Sequence, residues 1–408
     1  MTSLPRSESA AEAIWPTVGY ETLPWASRYD SFAGSRAARG RHTGPYRAAV
    51  VPEIARAFPK LEADLSAWVS EAATEVARFD EQMGGEIAPF SSVLLRTESA
   101  ASSRIENLTA SARAIAEAEL GPSSRANANE IVANSRSMAA ALALAADINE
   151  ASILTMHEAL MESVDPSNAG RWRTEQVWIG GSHLGPHHAD FVPPQDSRVV
   201  PAIGDIVDFI RRDDLPVLVQ AAIAHAQFET IHPFIDGNGR TGRALVHSML
   251  RNKELTRNVT VPISAGLLAD TDAYVEGLSA YRQGEPAGII EQFAQAAFRA
   301  VGNGRELVGD LRRIRQRWQD AVRIRSDSAA WRLADLLIRR PVLNAPVIAT
   351  ELGVDTGNVH RYTGPLLDSG ILTATTDGKR NQVWRSVEVL EALDAFAARA
   401  GRRTAAGR

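Results

Sequence analysis

One short stretch in the middle of the chain combines side chains that could bind and transfer a phosphate group. It runs His232-Pro-Phe-Ile-Asp-Gly-Asn-Gly-Arg-Thr-Gly-Arg243. Gly237 and Gly239 bracket Asn238 immediately before the start of a predicted helix. Because the backbone N–H groups of such a turn and of a helix N-terminus point outward together, they can bind an anion. The turn therefore predicts a phosphate-binding loop.

The charged side chains around this turn indicate which chemistry the loop could support. Arg240 and Arg243 are three positions apart, so both project from one side of the first helical turn, where guanidinium groups can pair with phosphate oxygens. Asp236 supplies a hard oxygen ligand that could hold Mg²⁺ against those phosphates. His232 is the nearby side chain suited to proton abstraction near neutral pH. Phe234 alternates away from His232, which favours a place in the core.

Each of these features alone would also fit an ordinary structural role. A Gly-Asn-Gly sequence is often only a turn, and a lone histidine is more often a core residue. Their joint occurrence between residues 232 and 243 predicts a polyphosphate site with a general base. The segment contains no GxxxxGK[ST] sequence, so an ATPase of the P-loop class is not supported.

The same segment matches the signature of Fic-domain proteins at every defining position, and four further segments resemble that family. Residues 45–54 resemble the start of its N-terminal region, and residues 155–161 resemble the helix ahead of its flap. Residues 173–181 and 189–194 resemble the flap hairpin and the loop that follows it. The resemblance covers most of residues 45–400, and the central motif is its most specific part.

The resemblance implies AMP transfer from ATP to a Ser, Thr or Tyr hydroxyl of a protein, which could include the chain itself. His232 would deprotonate the hydroxyl, which attacks the α-phosphorus while pyrophosphate leaves. Asp236 would hold Mg²⁺ between the α- and β-phosphates, and catalysis would rest on positioning and electrostatic stabilisation. The implied nucleotide contacts are Phe234, Gly237, Asn238, Gly239, Arg240 on the β-phosphate side and Arg243 at the γ-phosphate.

Residues outside the motif are assigned to the nucleotide base and to the target protein. Tyr274 follows the motif in a helical stretch and is a candidate for stacking on adenine, with core packing as the alternative. The flap residues Val177, Trp178 and Ile179 would pair with the target's backbone by strand addition. Relatives that phosphorylate have Lys at the position of Gly239, so the glycine favours AMP transfer.

A second motif lies well before the first and predicts a built-in inhibitor. Ser102, Glu106 and Asn107 fit the family's inhibitory pattern [S/T]xxxE[G/N], and the first two lie one helical turn apart. The resemblance implies a salt bridge from Glu106 to Arg243 that blocks the γ-phosphate position. The alternative is an exposed helix residue without such a role. In some relatives the same glutamate aligns a water molecule, and the enzyme removes AMP from a modified target.

The composition of the chain restricts the classes of protein to which it can belong. Its 408 residues contain 45% hydrophobic and 23% charged residues, which is typical of a globular protein of two or three domains. The absence of cysteine excludes disulfides, zinc-thiolate sites and cysteine nucleophiles. Neither a secretory signal nor a membrane-spanning apolar run is present in the sequence, so a cytoplasmic location is expected.

Hydrophobic periodicity predicts a mainly α-helical fold around the motif, with a small β-hairpin flap. His157 and His225 lie in helical patterns and are interpreted as structural. The predicted flap combines residues 170–181 with 191–194. Helical patterns are predicted at 52–69, 91–118, 127–147, 148–163, 199–212, 215–230, 240–253 and 270–325.

Composition and pattern divide the chain into six predicted segments. The last large one is a winged helix-turn-helix domain, in which residues 347–354 form the first helix of the motif, Asp355 caps a second helix through Asp368, and a hairpin with its turn at Asp377-Gly378 forms the wing. Pro365 argues against it, since proline should kink or end the second helix. The segments are an arm at 1–44, a helical region with the inhibitory helix at 45–125, a catalytic core at 126–300, a linker helix at 301–327, the winged-helix-like domain at 328–400 and a basic tail at 401–408.

Three functions remain open from the sequence. The first is an autoinhibited protein adenylyltransferase with ATP and Mg²⁺ as substrate and cofactor. The second is a hydrolase that removes AMP with the same site. The third is a DNA-binding regulator, which the excess of basic over acidic residues after Val301 supports. The winged-helix-like domain could instead bind a protein partner, and the sequence leaves a homodimer open.

Overall fold

The computed structural model describes residues 15–25, 43–84, 89–182, 184–322, 329–375 and 382–401, and helices predominate among them. This confirms the mainly helical fold. The helices are α1 (Ala63–Gly84), α2 (Pro89–Ile105), α3 (Ala112–Ala118), α4 (Ala126–Ala143), α5 (Glu150–Met161), α6 (Val199–Ile210), α7 (Val217–Ile231), α8 (Asn238–Asn252), α9 (Ile263–Leu267), α10 (Thr271–Arg282), α11 (Ala287–Ala321), α12 (Ala329–Arg339), α13 (Ala345–Leu352), α14 (Val359–Asp368) and α15 (Val387–Ala400). The strands are β1 (Gly19–Leu23), β2 (Tyr46–Val50), β3 (Val342–Asn344), β4 (Thr373–Ala374) and β5 (Val383–Arg385).

Two helices organise the core. The long helix α11 packs against α1, α7, α9, α10 and α15. Helix α7 is enclosed, because every residue from Leu218 to Ile231 is buried. Its alanines at 221, 222, 224 and 226 have small side chains, so neighbouring helices can approach closely. The enclosed helix ends at His232, which places the start of the motif inside the protein.

The described part of the predicted N-terminal arm contains a strand rather than only irregular chain. β1 pairs antiparallel with β2, with Gly19 opposite Val50 and Leu23 opposite Tyr46. A backbone hydrogen bond from Ala49 N to Val192 O, 3.0 Å long, joins this ribbon to the flap region. β2 is only five residues long, and Ala48 and Ala49 are both buried, so it lacks the alternating pattern that predicts a strand.

The predicted helix at 52–69 begins later than expected. Helix α1 starts at Ala63, and the preceding residues follow an irregular path in which Ile54 is buried. Pro59 disfavours a helical backbone at Phe58, and the Asp205 carboxylate accepts hydrogen bonds from Ile54 N at 2.7 Å and Ala55 N at 3.0 Å. A long-range side-chain contact therefore replaces the helix that the local pattern favoured.

The predicted helix at 91–118 is two helices. α2 ends at Ile105, and Asn107 has a left-handed backbone with φ of 63°. Ser111 then caps α3 by accepting a hydrogen bond from Ala114 N. Glu106 therefore follows the last helical residue instead of lying inside a continuous helix.

Several other boundaries differ from the predictions by a few residues. The patterns at 127–147 and 148–163 correspond to α4 and α5, and those at 199–212 and 215–230 correspond to α6 and α7. The helix of the motif begins at Asn238 instead of residue 240, because Gly237 in a left-handed conformation already serves as its N-cap. The stretch 270–325 contains two helices, α10 and α11, separated near Gly284, whose φ is 91°.

The predicted flap hairpin is smaller than expected. Among the described residues of the flap, pairing is limited to one antiparallel bridge between Ile179 and Phe191. Pro193 and Pro194 lack the N–H donors that would extend the ladder. The flap is therefore mostly extended chain, with its turn near Gly180 and Gly181, both at positive φ.

The C-terminal elements form a three-stranded antiparallel sheet in the order β3-β5-β4, with α12, α13 and α14 beside it. Gly353 ends α13 in a left-handed conformation, and Asp355 Oδ1 accepts a hydrogen bond from Gly357 N at 2.8 Å. Pro365 lies inside α14, which continues to Asp368, so the helix does not end at the proline. The wing turn predicted at Asp377-Gly378 lies outside the described residues.

The last helix returns to the body of the protein. α15 packs against α2, α3 and α11. Arg104 Nη1 donates to Ala397 O at 2.8 Å, and Asp394 Oδ1 accepts from Ala112 N at 2.8 Å. The predicted boundary between the catalytic core and the linker helix, at residue 301, falls inside α11. The division of the chain into six segments stays a prediction. Across the described ranges, no helix is both long enough and apolar enough to cross a membrane.

Candidate active site

His232 lies at the junction between α7 and the loop of the motif. It ends α7 with a left-handed backbone, φ of 51°, and its N–H donates to Phe228 O at 2.9 Å. Such a conformation is unfavourable for a residue other than glycine, so surrounding contacts must stabilise it. The conformation turns the chain away from the axis of α7 and into the loop.

Arg173 supplies those contacts. Its Nε donates to His232 O at 2.8 Å, and its backbone N–H donates to Pro233 O at 3.0 Å. Its Nη atoms donate to Glu175 O at 2.9 Å and Pro194 O at 2.5 Å. The sequence placed Arg173 only within the flap segment and did not assign it this role, because its partners are backbone carbonyls far away in the chain.

The environment of His232 keeps its imidazole neutral. Burial, followed by the positive charges of Arg173 and Arg282, lowers the pKa of His232 to about 4. A neutral imidazole can accept a proton at pH 7, whereas an imidazolium cannot. The His232 imidazole is therefore in the protonation state that the predicted base requires.

A titration of the His232 ring tests this electrostatic description. Because the pKa of His232 is lowered to about 4, its ring is expected to stay unprotonated as the pH falls from 8 to 5. Ring NMR signals of the full chain, with His232 assigned through a His232→Gln variant, measure it directly. A midpoint near the ordinary histidine value would contradict the assigned environment.

The loop between His232 and α8 is fixed from within by the side chain of Asn238. Its Oδ1 accepts from Phe234 N at 2.8 Å, and its Nδ2 donates to Phe234 O at 2.9 Å. The Phe234 ring stacks on His157 with centroids 3.6 Å apart and on Trp172 at 5.0 Å. Phe234 is thus a fully buried anchor, and the Asn238 amide serves the loop's own backbone.

Removing the Asn238 amide should destabilise the protein. Asn238→Ala leaves the buried N–H and C=O of Phe234 without these partners, at a cost of about 1–3 kcal/mol for each unsatisfied group. Urea unfolding of the full chain measures the loss. Asn252→Ala, which removes one hydrogen bond from the far end of the same helix to Ala145 O, should cost less. Equal losses of stability in the two variants would show that the Asn238 amide stabilises the loop no more than an ordinary single hydrogen bond.

His157 supports the same loop, which is a more specific role than the structural one predicted from its helical pattern. Its Nδ1 accepts from Gly170 N at 3.1 Å, so its protonated Nε2 donates to Asp236 O at 3.0 Å. Burial lowers the pKa of His157 to about 4, which keeps this tautomer neutral. The imidazole therefore orients the peptide that precedes the glycines.

The predicted anion-binding turn has the conformation that such a site needs. Gly237 has φ of 78°, which a residue with a side chain rarely adopts, and α8 begins at the next residue. A Cβ built on Gly239 would overlap Glu106 Oε1. The Glu106 carboxylate therefore lies directly over the turn at which the phosphate is expected.

The second motif meets the first at Arg243. Arg243 Nη2 donates to Glu106 Oε1 at 2.8 Å and to Ser102 O at 2.9 Å, while its Nε donates to Ser102 Oγ at 2.9 Å. Burial alone would lower the pKa of Arg243, but the charge of Glu106 raises it above its ordinary value. The structure thus brings together residues that are 137 and 141 positions apart in the chain.

Glu106 is ionised in this arrangement. Burial would raise the pKa of its carboxyl, but the charge and hydrogen bond of Arg243, together with the charge of Arg240, keep it below the ordinary value. Its side chain is 40% exposed, while that of Arg243 is 3% exposed. The anion can therefore leave toward solvent, whereas the cation stays fixed in the protein.

Arg240 and Asp236 lie on the other side of the turn. Arg240 is buried, and its Nη1 donates to Glu130 Oε2 at 3.2 Å. Its Nη2 is 3.5 Å from Asp236 Oδ2, and Asp236 Oδ1 accepts from Gly237 N at 2.6 Å. The Asp236 side chain is 64% exposed. Sequence reasoning missed Glu130, since a glutamate on an exposed helical face gives no signal of its own.

A buried polar cluster lies beneath Arg243. The Tyr274 hydroxyl and His225 Nε2 are 2.6 Å apart, and the two rings stack with centroids 5.9 Å apart. Burial raises the pKa of Glu229, one turn before His232 on α7, to about 7. Tyr274 is 4% exposed, so its ring is packed in this cluster, and stacking on adenine stays a prediction.

A second buried cluster fixes α2 beside α8. Glu98 Oε1 lies 2.7 Å from His247 Nε2, and Glu98 Oε2 accepts from Ser264 N at 2.9 Å. These three side chains belong to α2, α8 and α9. Because Glu98 and His247 lie on the same two helices as Ser102 and Arg243, the cluster supports the approach of the two motifs.

The flap residues lie at the edge of the site. Ile179 N donates to Phe191 O at 2.8 Å, and Trp178 Nε1 donates to Ser182 O at 2.9 Å. Trp178 also packs edge-on against Trp25. One side of the backbone at Ile179 is therefore already paired, and docking of a target strand to Val177–Ile179 stays a prediction.

Comparison with known proteins gives three findings. A model of the Fic/DOC family matches residues 147–250. Protein adenylyltransferase fic-1 of Caenorhabditis elegans is 37% identical over 101 residues, which are 24% of this chain and 18% of that protein. Protein adenylyltransferase Fic of Drosophila melanogaster is 34% identical over 104 residues, 26% of this chain and 20% of that protein. The chain thus spans about a fifth of the length of these curated relatives.

A solved structure extends the likeness beyond the matched segment. The crystal structure of a Fic family protein from Desulfovibrio desulfuricans G20 covers 81% of this chain and 97% of its own, with a TM-score of 0.52 and 22% identity. At this level of identity the comparison shows a shared fold. The match reaches well beyond residues 147–250, so the helices around the motif also share that architecture.

Proposed function

We propose that this chain is a protein adenylyltransferase, which transfers AMP from ATP to a hydroxyl group of a protein, because residues 147–250 match a model of the Fic/DOC family. The observation that supports it best is the pairing of a neutral base, His232, with the phosphate-binding turn at Gly237–Gly239 on one rigid loop. A base and an anion site so placed can act on the two reactants together, the base on the proton of the target hydroxyl and the turn on the phosphates of ATP.

In the proposed reaction His232 accepts the proton of the target hydroxyl. The hydroxyl oxygen forms a bond to the α-phosphorus, and the bond from that phosphorus to the pyrophosphate oxygen breaks. The N-terminus of α8 and Arg240 stabilise the negative charge that grows on the phosphates. Arg243 receives the γ-phosphate and aligns the pyrophosphate as leaving group.

Asp236 is the residue that fits a magnesium ion in this site. Its carboxylate is exposed beside the turn, and carboxylate oxygen is the ligand type that Mg²⁺ prefers. A bound Mg²⁺ would offset the charge of the α- and β-phosphates. Arg240, 3.5 Å from Asp236 Oδ2, would keep that carboxylate oriented toward the phosphates.

We also propose that Glu106 inhibits this activity. Its carboxylate pairs with the guanidinium of Arg243 and lies over Gly239. The γ-phosphate and Glu106 therefore compete for one place. Displacing Glu106 leaves Arg243 buried without an anion, and a bound triphosphate supplies one. Inhibition and nucleotide binding are therefore mutually exclusive at Arg243.

Intact-protein mass spectrometry tests the proposed transfer. The full-length Glu106→Gly variant, incubated with ATP and Mg²⁺, is expected to gain the mass of an AMP group on itself or on an added protein fraction. A phosphate-sized gain would instead indicate a kinase. No gain of mass on any protein, with ATP and with the other nucleoside triphosphates, would contradict the transferase.

AMP removal is the alternative that uses the same residues. It would need Glu106 in place to orient a water molecule, so the wild-type chain would release AMP from a modified target and Glu106→Gly would not. Transfer has the opposite dependence on Glu106. Comparing both proteins on AMP-modified and unmodified target therefore separates the two functions.

We further propose that the elements from α12 to β5 form a winged helix-turn-helix that binds a partner. The order β3-β5-β4 and the αL turn at Gly353 between α13 and α14 support this arrangement. Duplex DNA binding with a steep salt dependence would favour DNA as the partner. Absence of binding at low salt would exclude DNA and leave a protein partner.

A further inference from the structure

A mainly apolar cavity, partly open to solvent, lies on the opposite side of α2 from the active site. It has a volume of about 230 Å³ and is lined by α2, α3, α4 and α15. Its wall on α2 includes Ala100 and Ala101, and its wall on α15 includes Leu393 and Phe396. Small alanine side chains on one helix face larger apolar ones on the other, which leaves the space between them open.

Three charged side chains line this cavity, and one of them, Arg96, is already paired with Glu119 at 2.6 Å. Arg104 on α2 and Asp394 on α15 both line it. Arg104 Nη1 donates to Ala397 O at 2.8 Å, and Asp394 Oδ1 accepts from Ala112 N at 2.8 Å. Each contact is to a backbone group, so neither contact places an opposite charge beside the side chain.

The cavity is adjacent in the chain to the inhibitory glutamate. Arg104 and Leu108, which line it, are two residues before and two residues after Glu106. The turn between them is closed by Ser103 O, which accepts from Glu106 N at 3.1 Å and from Leu108 N at 3.0 Å. Anything that fixes Arg104 and Leu108 therefore also fixes the backbone that presents Glu106 to Arg243.

We propose that this cavity binds a free α-amino acid with an apolar side chain and that the bound amino acid strengthens inhibition by Glu106. The carboxylate would pair with Arg104 and the ammonium group with Asp394. A ligand with only a carboxylate would leave the negative charge of Asp394 without a partner. A ligand with only an amine would leave the positive charge of Arg104 without one. A zwitterion satisfies both groups at once.

The size of the cavity agrees with this class of ligand. A cavity of about 150 Å³ lined by apolar side chains binds a molecule of the size of benzene. The larger volume here accommodates a side chain such as that of leucine or phenylalanine. A polar side chain would lose hydration among Ile115, Ile131 and Phe396, so an apolar side chain is favoured there.

The direction of the regulation follows from linkage. The cavity is present in the conformation in which Glu106 contacts Arg243. A ligand that binds one conformation preferentially shifts the population toward it. The amino acid and ATP should therefore oppose each other, because ATP needs Arg243 released. This regulatory part rests on the proposed inhibitory function of Glu106, whereas the binding part does not.

Binding is measured first, without reference to enzymatic activity. Calorimetry and thermal unfolding of the full chain are run with leucine and phenylalanine, and with lysine, aspartate, toluene and benzoate as comparison ligands. The apolar amino acids are expected to bind saturably and to raise Tm by about 3 °C or more near saturation. Absence of saturable binding, or equal binding of toluene or benzoate, would overturn the proposed ligand class.

Variants locate the binding in this cavity. Ala397→Leu adds bulk to the cavity wall, and Arg104→Gln removes a cation that lines the cavity, so each should abolish amino-acid binding. Ala395→Leu makes the same change at an exposed position of α15 and should leave binding intact. Unchanged affinity in Ala397→Leu would place the binding elsewhere and overturn the site.

The coupling to Glu106 is measured through nucleotide binding. A saturating apolar amino acid is expected to raise the Kd of ATP for the wild-type chain by roughly tenfold, and ATP should weaken the amino acid by the same factor. In Glu106→Gly the effect should vanish. An ATP affinity unaffected by the amino acid in wild type would overturn the regulatory part and leave the binding site standing.

These measurements separate failure of this inference from failure of the proposed function. If Glu106→Gly binds ATP but transfers no AMP, the proposed reaction is wrong, while amino-acid binding and its effect on ATP affinity are still measured. If transfer occurs and no amino acid binds, the reaction stands and the cavity site is wrong.

Discussion

Replacing Glu106 with glycine is expected to raise the rate of AMP transfer by roughly a hundredfold or more. The Glu106 carboxylate lies 2.8 Å from Arg243 Nη2 and covers Gly239, so it occupies the place proposed for the terminal phosphate. In related phosphoryl transfers, an arginine that stabilises the charge on the phosphates raises the rate about 10³–10⁵-fold. Glycine removes the carboxylate and leaves Arg243 available. Initial rates of AMP incorporation in both proteins measure the effect.

The same substitution should change how ATP affects stability. Without Glu106, the buried Arg243 guanidinium lacks its carboxylate, so the free variant should unfold at a lower temperature than the wild-type chain. ATP should then raise the Tm of Glu106→Gly more than that of wild type, because the γ-phosphate restores an anion. Thermal unfolding with and without ATP gives this second, independent readout.

Two control variants isolate the role of the Glu106 charge. Glu106→Gln keeps the size of the side chain and removes its charge, so its activation should be intermediate. Glu71→Gly makes the same substitution at an exposed position of α1 and should leave the rate unchanged. If Glu106→Gly transfers AMP no faster than wild type and binds ATP no more tightly, Glu106 is not an inhibitor.

Replacing His232 with alanine in the Glu106→Gly background is expected to lower AMP transfer by about 10²–10⁴. His232 is neutral at pH 7 because burial and the charges of Arg173 and Arg282 lower its pKa to about 4. Alanine removes this proton acceptor and leaves the phosphate-binding turn unchanged. ATP affinity should therefore be retained while the rate falls. Rates and equilibrium ATP binding of the double variant measure the two quantities.

The corresponding control changes a histidine outside the site. His360 lies on α14 and is exposed, so His360→Ala in the same background should transfer AMP at the rate of its parent. A double variant with His232→Ala that keeps most of the parent's rate would show that His232 is not the base. Loss of ATP binding in that variant would instead show that His232 holds the loop in place.

Much of the candidate site could be predicted from local sequence. The stretch from His232 to Arg243 contains the base, the glycines and both arginines within one loop and one helical turn, so their spacing alone restricts their geometry. Ser102 and Glu106 could be proposed from a short pattern, but only a resemblance linked them to Arg243. The helical class of the fold followed from periodicity over long segments.

The residues that hold the site in place carry no comparable signal in the sequence. Arg173 stabilises the left-handed backbone of His232 through carbonyl groups, which every residue possesses. Asn238 was expected to line the anion site, yet its amide hydrogen bonds to the backbone of Phe234. His157 was expected to have a structural role, but its hydrogen bond to Asp236 O could be identified only from the tertiary structure.

By itself, the sequence determined the loop that contains the candidate base and the phosphate-binding residues, and it determined the mainly helical class. Both depend on residues close together in the chain. Only the tertiary structure decided that α2 lies along α8, that Glu106 covers Gly239 and that α15 returns to pack on α2. It also decided that residues before Ala63 are not helical, because Asp205 binds their backbone. These outcomes depend on contacts between distant residues, and such contacts form only when the whole core packs.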